Sequence, residues 1–453
     1  MSKPRRPWVA LALSLFMVAG ASRAAVLHVP SQYATINHAL DAAAPGDSVL
    51  VAAGVYSQYE TRLIGGEFWI SSVAFLKSGV TLVSESGAAA TMLRLDGVGG
   101  MGASPVVIIG YGQPGMVAVQ GFTFTGTVPH LEGENFHSSG RLILRDCVFR
   151  DMGVGLSDEG AAGSVMADLE VHGCRFENIN GAGGSAINQT SGTLLLEDSE
   201  FVNCRSGAIR LRYEPDFPHG TGLTARRCRF LNNVQTLGGA AGLSVNLYSS
   251  VLIEDCWFEG NQSIGNSSAG GAISGGGGPA VVIRNNTFVG NSAELGQGGA
   301  VGVGGASVQV IGNTFWGNSI GLAYTGGGSA IFVGGGACEV RDNVIAASAG
   351  AAAVGFQSGT MLTGCNVFWQ NSLGNAAGFT LDPSDLVVDP LFCNAPAKDL
   401  TVSAVSPCLP GHGDPSCTEL IGAWGQGCGV VSVEPSTWGK VKSIFRSESE
   451  VRR

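Results

Sequence analysis

Charged side chains are scarce in this sequence of 453 residues. Asp, Glu, Lys and Arg together make up 13% of the chain, about half the share found in an ordinary globular protein. Proline contributes only 17 residues, and glycine does not recur at every third position, so a collagen-like chain is excluded. After residue 24, no apolar stretch of membrane-spanning length runs without Gly, Ser or charge. These absences predict a soluble mature chain.

Glycine, by contrast, is abundant. It accounts for 70 residues, roughly twice ordinary usage, and hydrophobic residues make up 45%. Glycine costs about 1 kcal/mol at an interior helix position, which argues against a mainly helical protein. The hydrophobic content is too high for a disordered chain. The composition therefore predicts a turn-rich, β-rich protein with a large apolar core.

The first 24 residues have the pattern of a secretory signal peptide. A positive start at residues 3–6 precedes an apolar run over residues 8–20, and Ser22-Arg23-Ala24 suits cleavage after Ala24. The alternative is a membrane anchor, but the run is shorter than the about 20 residues that a spanning helix needs. Removal of residues 1–24 takes away four positive charges and no negative ones, so the formal net charge moves from −10 to −14. We expect a secreted or cell-surface protein whose acidic surface disfavours nucleic acid and anionic membranes.

A motif recurs along the middle of the chain with a mean step of about 27 residues. Each copy has an apolar anchor, and the anchors are Phe124, Phe149, Phe176, Phe201, Phe230, Phe258, Phe288, Phe315, Ile345 and Phe368. Asparagine lies three residues after five of them, at Asn233, Asn261, Asn291, Asn318 and Asn371. Gly-Gly-Ala-Ile or a related tetrapeptide follows later in several copies, as at 270–273 and 298–301.

Three short apolar runs separated by turns in each copy predict a solenoid. Coils would stack with parallel strands about 4.8 Å apart, so that equivalent side chains form columns. Phe would stack on Phe inside, with Cys147 on Cys174 and Cys228 on Cys256 as buried free thiols. The recurring Asn is expected at sharp corners, because it tolerates left-handed backbone, and its stacked amides are expected to bond along the column.

Both ends of the predicted solenoid look capped. A strand over 26–30 precedes a helix within 33–44 whose apolar residues share one face, namely Ile36, Ala39, Leu40 and Ala43. The predicted organisation is a signal peptide (1–24), an N-terminal cap with the first strands (25–60), a parallel β-helix (61–380), a Cys-rich C-terminal segment (381–430) and a tail (431–453). We expect the late cysteines to pair among themselves, with three pairings open: Cys393, Cys408, Cys417 and Cys428. The tail either docks on the final coil or is loose.

The opening of the chain resembles that of a known family. Val29-Pro30, Tyr33-Ala-Thr-Ile36, Gly46-Asp47 and Gly54-Val-Tyr56 look like the start of bacterial right-handed parallel β-helix proteins of the pectin-lyase-like superfamily, and the anchor repeats look like its coils. The resemblance covers residues 26–392 and implies an all-β fold, a right-handed single-stranded parallel β-helix with an N-terminal capping helix. It implies no single activity, because the superfamily includes lyases, polygalacturonases, esterases, epimerases and phage tailspikes. The Gly-Gly-Ala-[Ile/Val] and Phe-x-x-Asn tetrapeptides are also similar to repeats of chlamydial polymorphic outer-membrane proteins, which are adhesin-like.

Motifs for glycoside hydrolysis are largely missing. A polygalacturonase would need Asn-Thr-Asp, Asp-Asp, His-Gly and Arg-x-Lys segments to supply the acid, the base and the substrate clamp. Only Gly411-His412-Gly413 matches, and it lies in the Cys-rich segment. A Ca²⁺-dependent lyase, whose carboxylates can come from different coils, stays open.

Insertions on a solenoid usually carry binding function. One stretch follows Phe124, a second follows Phe149 and should be its neighbour, and a third follows Ile209. The candidate glycan or ion contacts in these stretches are His130, Glu132, Glu134, His137, Asp158, Glu159, Arg210, Arg212, Tyr213 and Asp216. The first two stretches read as a solvated acidic loop or as an ion or acid/base site, and the third reads as a sugar-stacking site or as a strand-edge shield. Glu67-Phe68-Trp69 is expected to pack in the core, with an aromatic platform as the alternative.

We therefore expect an exported β-helix repeat protein that serves as a glycan-binding or cell-surface interaction scaffold. The alternatives are a polysaccharide lyase or glycoside hydrolase acting on acidic polysaccharide, and a purely structural surface module. No cofactor or metal site is assigned, and Ca²⁺ is expected only for a lyase. The expected partner is a polysaccharide or a cell-surface glycan.

Overall fold

A computed structural model describes most of the chain between Ala24 and Gly429. The described residues are 24–64, 68–96, 103–109, 116–126, 141–152, 164–165, 168–180, 185–189, 192–211, 222–236, 238–245, 250–265, 270–321 and 327–429. Residues 1–23 of the predicted signal peptide (1–24) and the whole predicted tail (431–453) lie outside them. In the described part of the chain, no helix combines the length and the apolarity needed to cross a membrane.

The fold is an all-β parallel solenoid in which three sheets are built from successive coils. Sheet 1 contains, in order, Val26–Val29, Ser48–Val51, Thr81–Ser84, Met116–Gln120, Arg141–Arg145, Asp168–His172, Thr193–Glu197, Gly222–Arg226, Ser250–Glu254, Val281–Arg284, Ser307–Ile311, Ala337–Arg341 and Thr360–Gly364. Sheet 2 contains Gly54–Tyr56, Thr91–Arg94, Thr123–Gly126, Val148–Met152, Arg175–Glu177, Glu200–Val202, Arg229–Leu231, Trp257–Glu259, Thr287–Val289, Thr314–Trp316, Val344–Ala346, Val367–Trp369 and Leu386–Val387.

Sheet 3 completes the coils from the second anchor onward. It contains Ser164–Val165, Ile187–Gln189, Ile209–Leu211, Leu243–Val245, Ile273–Gly278, Val301–Gly305, Gly328–Val333, Ala352–Phe356 and Ala376–Ala377. A narrow fourth sheet lies between sheets 2 and 3 in sequence, with strands Val234–Gln235, Gln262–Ser263, Ser292–Ala293 and Ser319–Ile320. Each strand pairs in parallel with its counterpart in the next coil, because every coil repeats the same order of strands.

The anchors form one interior column, as predicted. Phe176, Phe201 and Phe230 are fully buried, and their strands pair anchor to anchor. From Phe124 to Phe315, consecutive ring centroids lie 4.5–5.1 Å apart with near-parallel planes. This spacing is the rung spacing of a parallel sheet, so each coil extends the same aromatic stack.

A buried amide column runs beside the aromatic one. Asn261 Nδ2 donates to Asn291 Oδ1 at 2.9 Å and to the Phe230 carbonyl at 2.8 Å, and Asn291 makes the equivalent bonds to Asn318 and Phe258. The predicted bonding along the column is therefore confirmed. The prediction that these Asn residues take the left-handed corner was wrong. The left-handed residue is the one before each, such as Asn232 with φ 52°, because the amide must point inward to reach the anchor carbonyl.

The N-terminal end is capped by a short helix, as predicted. The helix spans Ile36–Ala42, and the Thr35 side chain caps its first turn by accepting a hydrogen bond from the His38 backbone N–H. Ile36, Ala39 and Leu40 are buried in the same core as the first coils. The helix therefore covers apolar side chains that the first coil leaves open.

A small additional sheet lies beside the first coils. Its strands are Glu60–Ile64, Phe68–Lys77 and Ala103–Ile109, and the first two form an antiparallel hairpin that pairs Leu63 with Trp69. Trp69 is 64% exposed. The expectation that it packs in the core was wrong, because the hairpin leaves the coil stack and turns Trp69 toward solvent.

Residues 389–428, here called the strap, lie along the outer face of sheet 2. The strap contains strands Phe392–Asn394, Asp399–Ser403 and Gln426–Cys428 and a 3₁₀ turn at Ala395–Ala397. The Phe392 ring meets Trp316 edge to face, with centroids 5.7 Å apart, and Lys398 forms an ion pair with Glu259. In the three coils just before the strap, the residue before the anchor is charged, as Arg175, Glu200 and Arg229. It changes to Trp257, Thr287, Thr314, Val344 and Val367 where the strap lies.

The prediction that the late cysteines pair among themselves is confirmed for Cys393 and Cys428 and was wrong for Cys408 and Cys417. The disulfides are Cys365–Cys417 and Cys393–Cys428, and Cys408 is a buried free thiol. Cys365 occupies a left-handed corner of a coil with φ 55°. Because the strap folds back over that corner, Cys417 is bonded to the solenoid instead of to its own segment. The column cysteines are free and buried, as predicted, at Cys147, Cys174, Cys228 and Cys256.

Candidate functional site

Most of the site residues predicted from the sequence lie outside the described residues. These are His130, Glu132, Glu134, His137, Asp158, Glu159, Arg212, Tyr213 and Asp216. Arg210 is described; it is half-buried on the sheet 3 strand Ile209–Leu211, in register with Asn188 and Ser244. The roles proposed for all ten residues stay predictions.

The strands that precede the first two predicted stretches end side by side. Gly126 closes one sheet 2 strand and Met152 closes the next, and the two residues are register partners. The described strands before residues 127–140 and 153–163 thus end in adjacent coils at the same edge. That their side chains share one site stays a prediction.

An open cleft lies at this edge, on the outer face of sheet 2. It has a volume of about 380 Å³ and is lined by Met92, Arg94, Asp96, Thr125, Gly126, Arg150 and Asp151. Strand alternation explains the lining, because Leu93, Phe124 and Phe149 point into the core and their neighbours point outward. Three successive coils therefore contribute one wall each.

The shape of the cleft comes from a short side chain between two long ones. Thr125 is in register with Arg94 on one side. On the other side, Phe124 pairs with Phe149 and Gly126 with Met152, so Arg150 and Asp151 together oppose the single Thr125. Such a bulge redirects side chains at the edge of a sheet. The strands of Arg94 and Arg150 consequently lie two rungs apart, about 10 Å by strand spacing, with the small Thr125 on the strand between them.

Gly126 lines the cleft at a position where the backbone of the neighbouring coil leaves no room for a side chain. Its φ is 142°, and a Cβ built there would lie 2.1 Å from the Leu95 carbonyl oxygen. No side chain fits between the two coils at this position without moving the backbone.

The polar groups of the cleft are both donors and acceptors. Arg94 forms an ion pair with Asp96, and Asp151 Oδ1 accepts a hydrogen bond from Asn178 Nδ2 at 2.8 Å. Arg150 has no ion-pair partner among the residues that the structure describes. The cleft therefore has nearly balanced charge, one arginine available to a ligand, and carboxylates whose remaining lone pairs can accept.

Arg150 differs in this respect from most arginines on the solenoid. On sheet 1, Arg226 and Arg284 both pair with Glu254, and on sheet 2, Arg229 pairs with Glu200 at 3.5 Å. Within the described ranges, only Arg145 and Arg205 share the unpaired state of Arg150, and neither lines the cleft. Paired arginines neutralise the stacked carboxylates of neighbouring coils, whereas Arg150 does not serve this purpose.

The described residues contain no cluster of three or more His, Cys, Asp or Glu side chains that could hold a metal ion. The chemistry that the cleft offers is hydrogen bonding. Guanidinium groups donate in a fixed fork, and carboxylates accept two hydrogen bonds, so both suit ligands with neighbouring hydroxyls.

The sequence analysis did not identify Arg94, Asp96, Thr125 or Arg150 as cleft residues. The repeat pattern could have identified three of these residues. Thr125 and Arg150 each follow an anchor, and Arg94 follows Leu93, which occupies the anchor position of its coil. Placing the three in one column would have shown a short residue flanked by two arginines. The bulge that brings Asp151 into the lining has no counterpart in the repeat pattern.

Comparisons with known proteins address the fold. The model of the family described as "Right handed beta helix region" matches residues 108–345 and 220–387. A search of curated proteins gives no match. Among solved structures, the chain is similar to PfbA, a surface adhesin of Streptococcus pneumoniae, with 13% identity and a TM-score of 0.43, over 80% of this chain and 93% of that one. Similarity at this level does not carry a function from one protein to the other.

Proposed function

The chain belongs to the right-handed β-helix family, and we propose that it is an exported interaction scaffold that binds glycans through the cleft on sheet 2. The observation that carries the proposal is the open cleft in which the unpaired Arg150 faces Arg94 across Thr125. A regular rod with most charges paired leaves few places with free hydrogen-bonding capacity, and this cleft is one of them.

The ligand class follows from the chemistry of the lining. Two arginines, two aspartates and Thr125 on three coils offer both donors and acceptors, which suits the vicinal hydroxyls of a sugar chain. The formal net charge of −10 disfavours a densely anionic polymer. A neutral or sparsely charged glycan, with at most an isolated acidic group on Arg150, fits both facts.

Export is supported by two independent features. The first 24 residues have signal-peptide character. Two disulfides hold the strap, Cys393–Cys428 within it and Cys365–Cys417 to a coil, and disulfides persist in oxidising compartments. Together they favour a location outside the cytoplasm, where a glycan partner would be met.

The test is binding of the chain from residue 25 onward to a glycan array, followed by calorimetric titration of the best ligand. Replacement of Arg150 by Ala should weaken binding about tenfold or more, because a hydrogen bond to a charged group contributes about 1.5–3 kcal/mol. Arg205→Ala is the matched control, since it removes the same charge from an exposed, unpaired arginine outside the cleft. The proposal would be refuted if no glycan on the array bound, or if Arg150→Ala and Arg205→Ala reduced the affinity equally.

A further inference from the structure

The strap presents a large aromatic side chain at its edge. Trp424 is 40% exposed, whereas the Phe rings of the solenoid column are fully buried. Trp424 belongs to none of the walls of the cleft. A large exposed ring is informative when the surrounding structure also fixes its position.

Three contacts fix Trp424. Its Nε1–H donates to Thr287 Oγ1 at 2.7 Å, and the backbone N–H of Ala423 donates to Thr314 Oγ1 at 2.9 Å. The Trp257 ring meets it edge to face, with centroids 6.3 Å apart and planes at 66°. Both threonines are buried positions of sheet 2. The ring is thus held before any ligand arrives, which lowers the entropy cost of binding.

Hydrogen-bonding side chains surround Trp257, the ring that Trp424 contacts. Trp257 Nε1–H donates to Glu259 Oε2 at 2.9 Å, and Glu259 also pairs with Lys398. Arg229 is the register partner of Trp257 in the preceding coil and carries a half-exposed guanidinium. The fixed indole of Trp424 therefore contacts Trp257, whose own N–H is bonded to a carboxylate that pairs with a lysine, and whose register partner is an arginine.

We propose that Trp424, with Glu259, Lys398 and Arg229, forms a second carbohydrate site at the edge of the strap. This inference rests on the proposed glycan-binding function. The exposed face of the indole would stack on the apolar face of a pyranose ring, and the charged groups would bond to the hydroxyls at the ring edge. The bond from the Trp424 N–H to Thr287 and the contact with Trp257 suffice to attach the strap to the solenoid. Attachment does not require that one face of the Trp424 ring be exposed.

The site is separate from the cleft. The strands of Arg150 and Trp257 in sheet 2 are four rungs apart, which is about 19 Å along the solenoid. The ligand class is a glycan whose hydroxyls are equatorial, because such rings leave a flat face of C–H groups for stacking. We therefore choose cellohexaose and chitohexaose, two neutral β-1,4-linked hexasaccharides, as probes.

The experiment is calorimetric titration of the full mature chain with each probe. Trp424→Ala should weaken binding of at least one probe about tenfold or more, as expected for truncation of an aromatic hot spot. Leu362→Ala is the control, because it removes another exposed large hydrophobic side chain from the sheet 1 strand Thr360–Gly364, outside the strap contacts on sheet 2. Because Trp424→Ala can also loosen the strap, Trp424→Phe is included; it keeps a ring but loses the N–H bond, and it should retain most of the affinity.

The outcomes separate this inference from the proposed function. Two results would overturn the second site. Either no binding of cellohexaose or chitohexaose is detected, or the Trp424→Ala variant binds them as tightly as the native chain. If Arg150→Ala still reduces array binding in that case, the proposed function stands. If the ring serves self-association instead, Trp424→Ala would change the mass in light scattering and leave hexasaccharide affinity unaltered, which also overturns the inference.

Discussion

The buried amide column gives the sharpest prediction, and Asn291→Ala is the perturbation that tests it. Asn291 Oδ1 accepts from the backbone N–H of Asn261 at 3.0 Å and from Asn261 Nδ2 at 2.9 Å. Its Nδ2 donates to the Phe258 carbonyl and to Asn318 Oδ1, each at 3.0 Å. Alanine removes all four bonds and leaves the shape of the backbone unchanged.

The magnitude follows from what is left without a partner. Asn261 Nδ2 keeps its bond to the Phe230 carbonyl, and Asn318 Oδ1 still accepts from the Asn291 backbone N–H. The Phe258 carbonyl lies on a paired sheet 2 strand and keeps its place in the ladder, whereas the Asn261 N–H loses its acceptor, Asn291 Oδ1, in a buried site. One buried unsatisfied group costs about 1–3 kcal/mol, so we expect Asn291→Ala to destabilise the fold by about 1–3 kcal/mol.

The assay is denaturant unfolding combined with hydrogen exchange at the Asn261 amide. Ser292→Ala, at the next residue and only half-buried, is the control and should stay within about 0.5 kcal/mol of the native chain. Because a solenoid is stabilised by nearest-neighbour coils, the loss of protection should be largest in the coils that contain Asn261 and Asn291. An unfolding free energy for Asn291→Ala equal to that of Ser292→Ala would refute the reasoning.

Three further outcomes are expected. Phe230→Ala should lower the free energy of unfolding by about 3–5 kcal/mol in denaturant unfolding, because it leaves a cavity between the rings of Phe201 and Phe258. A loss as small as that of a surface substitution would contradict the buried aromatic stack. Replacing Cys393 and Cys428 by Ser opens a loop of 35 residues and should lower the stability of the strap by about 4 kcal/mol. The strap should then be cleaved faster by a protease, and an unchanged cleavage rate would contradict this prediction. Burial acts to raise the pKa of Glu254, but hydrogen bonds from Arg284 and Arg226 outweigh it and hold the pKa below its ordinary value. Its stabilising contribution should therefore be present above the unfolded-state pKa and disappear as the pH falls through the lowered folded value, and Arg284→Ala should reduce that acid dependence of the unfolding free energy.

The sequence predicts the interior of this fold well because the interior repeats. Phe230 occupies the same surroundings as Phe201 and Phe258, so each coil supplies an independent copy of the same information. The capping helix was equally predictable, since the spacing of Ile36 and Leu40 specifies its buried face locally.

The strap could not be predicted in the same way, because its contacts are long-range and occur once. The Cys365–Cys417 bond joins residues 52 positions apart, and the bond from Trp424 to Thr287 spans 137. A trace of the strap exists in the sequence, where the residue before the anchor changes from Arg229 to Trp257. That change indicates a covered face but does not identify the segment that covers it.

The cleft was missed for a related reason. Periodicity identifies equivalent positions, and a binding site arises where equivalent positions differ. Thr125 is unremarkable by itself, and its effect depends on the larger Arg94 and Arg150 on either side and on the additional residue Asp151.

The position of the strap limits where the protein can change in length. The strap is attached to coils at Glu259, Thr287, Thr314 and Cys365, so its attachment points are spaced by whole coils. Duplication or deletion of one coil inside that span would displace some of these points by a full rung relative to the others. A coil added or removed between Phe149 and Phe230 would leave every attachment in place. Evolution or engineering can therefore lengthen this protein in its N-terminal half, which would change the separation of the two proposed sugar sites without altering either one.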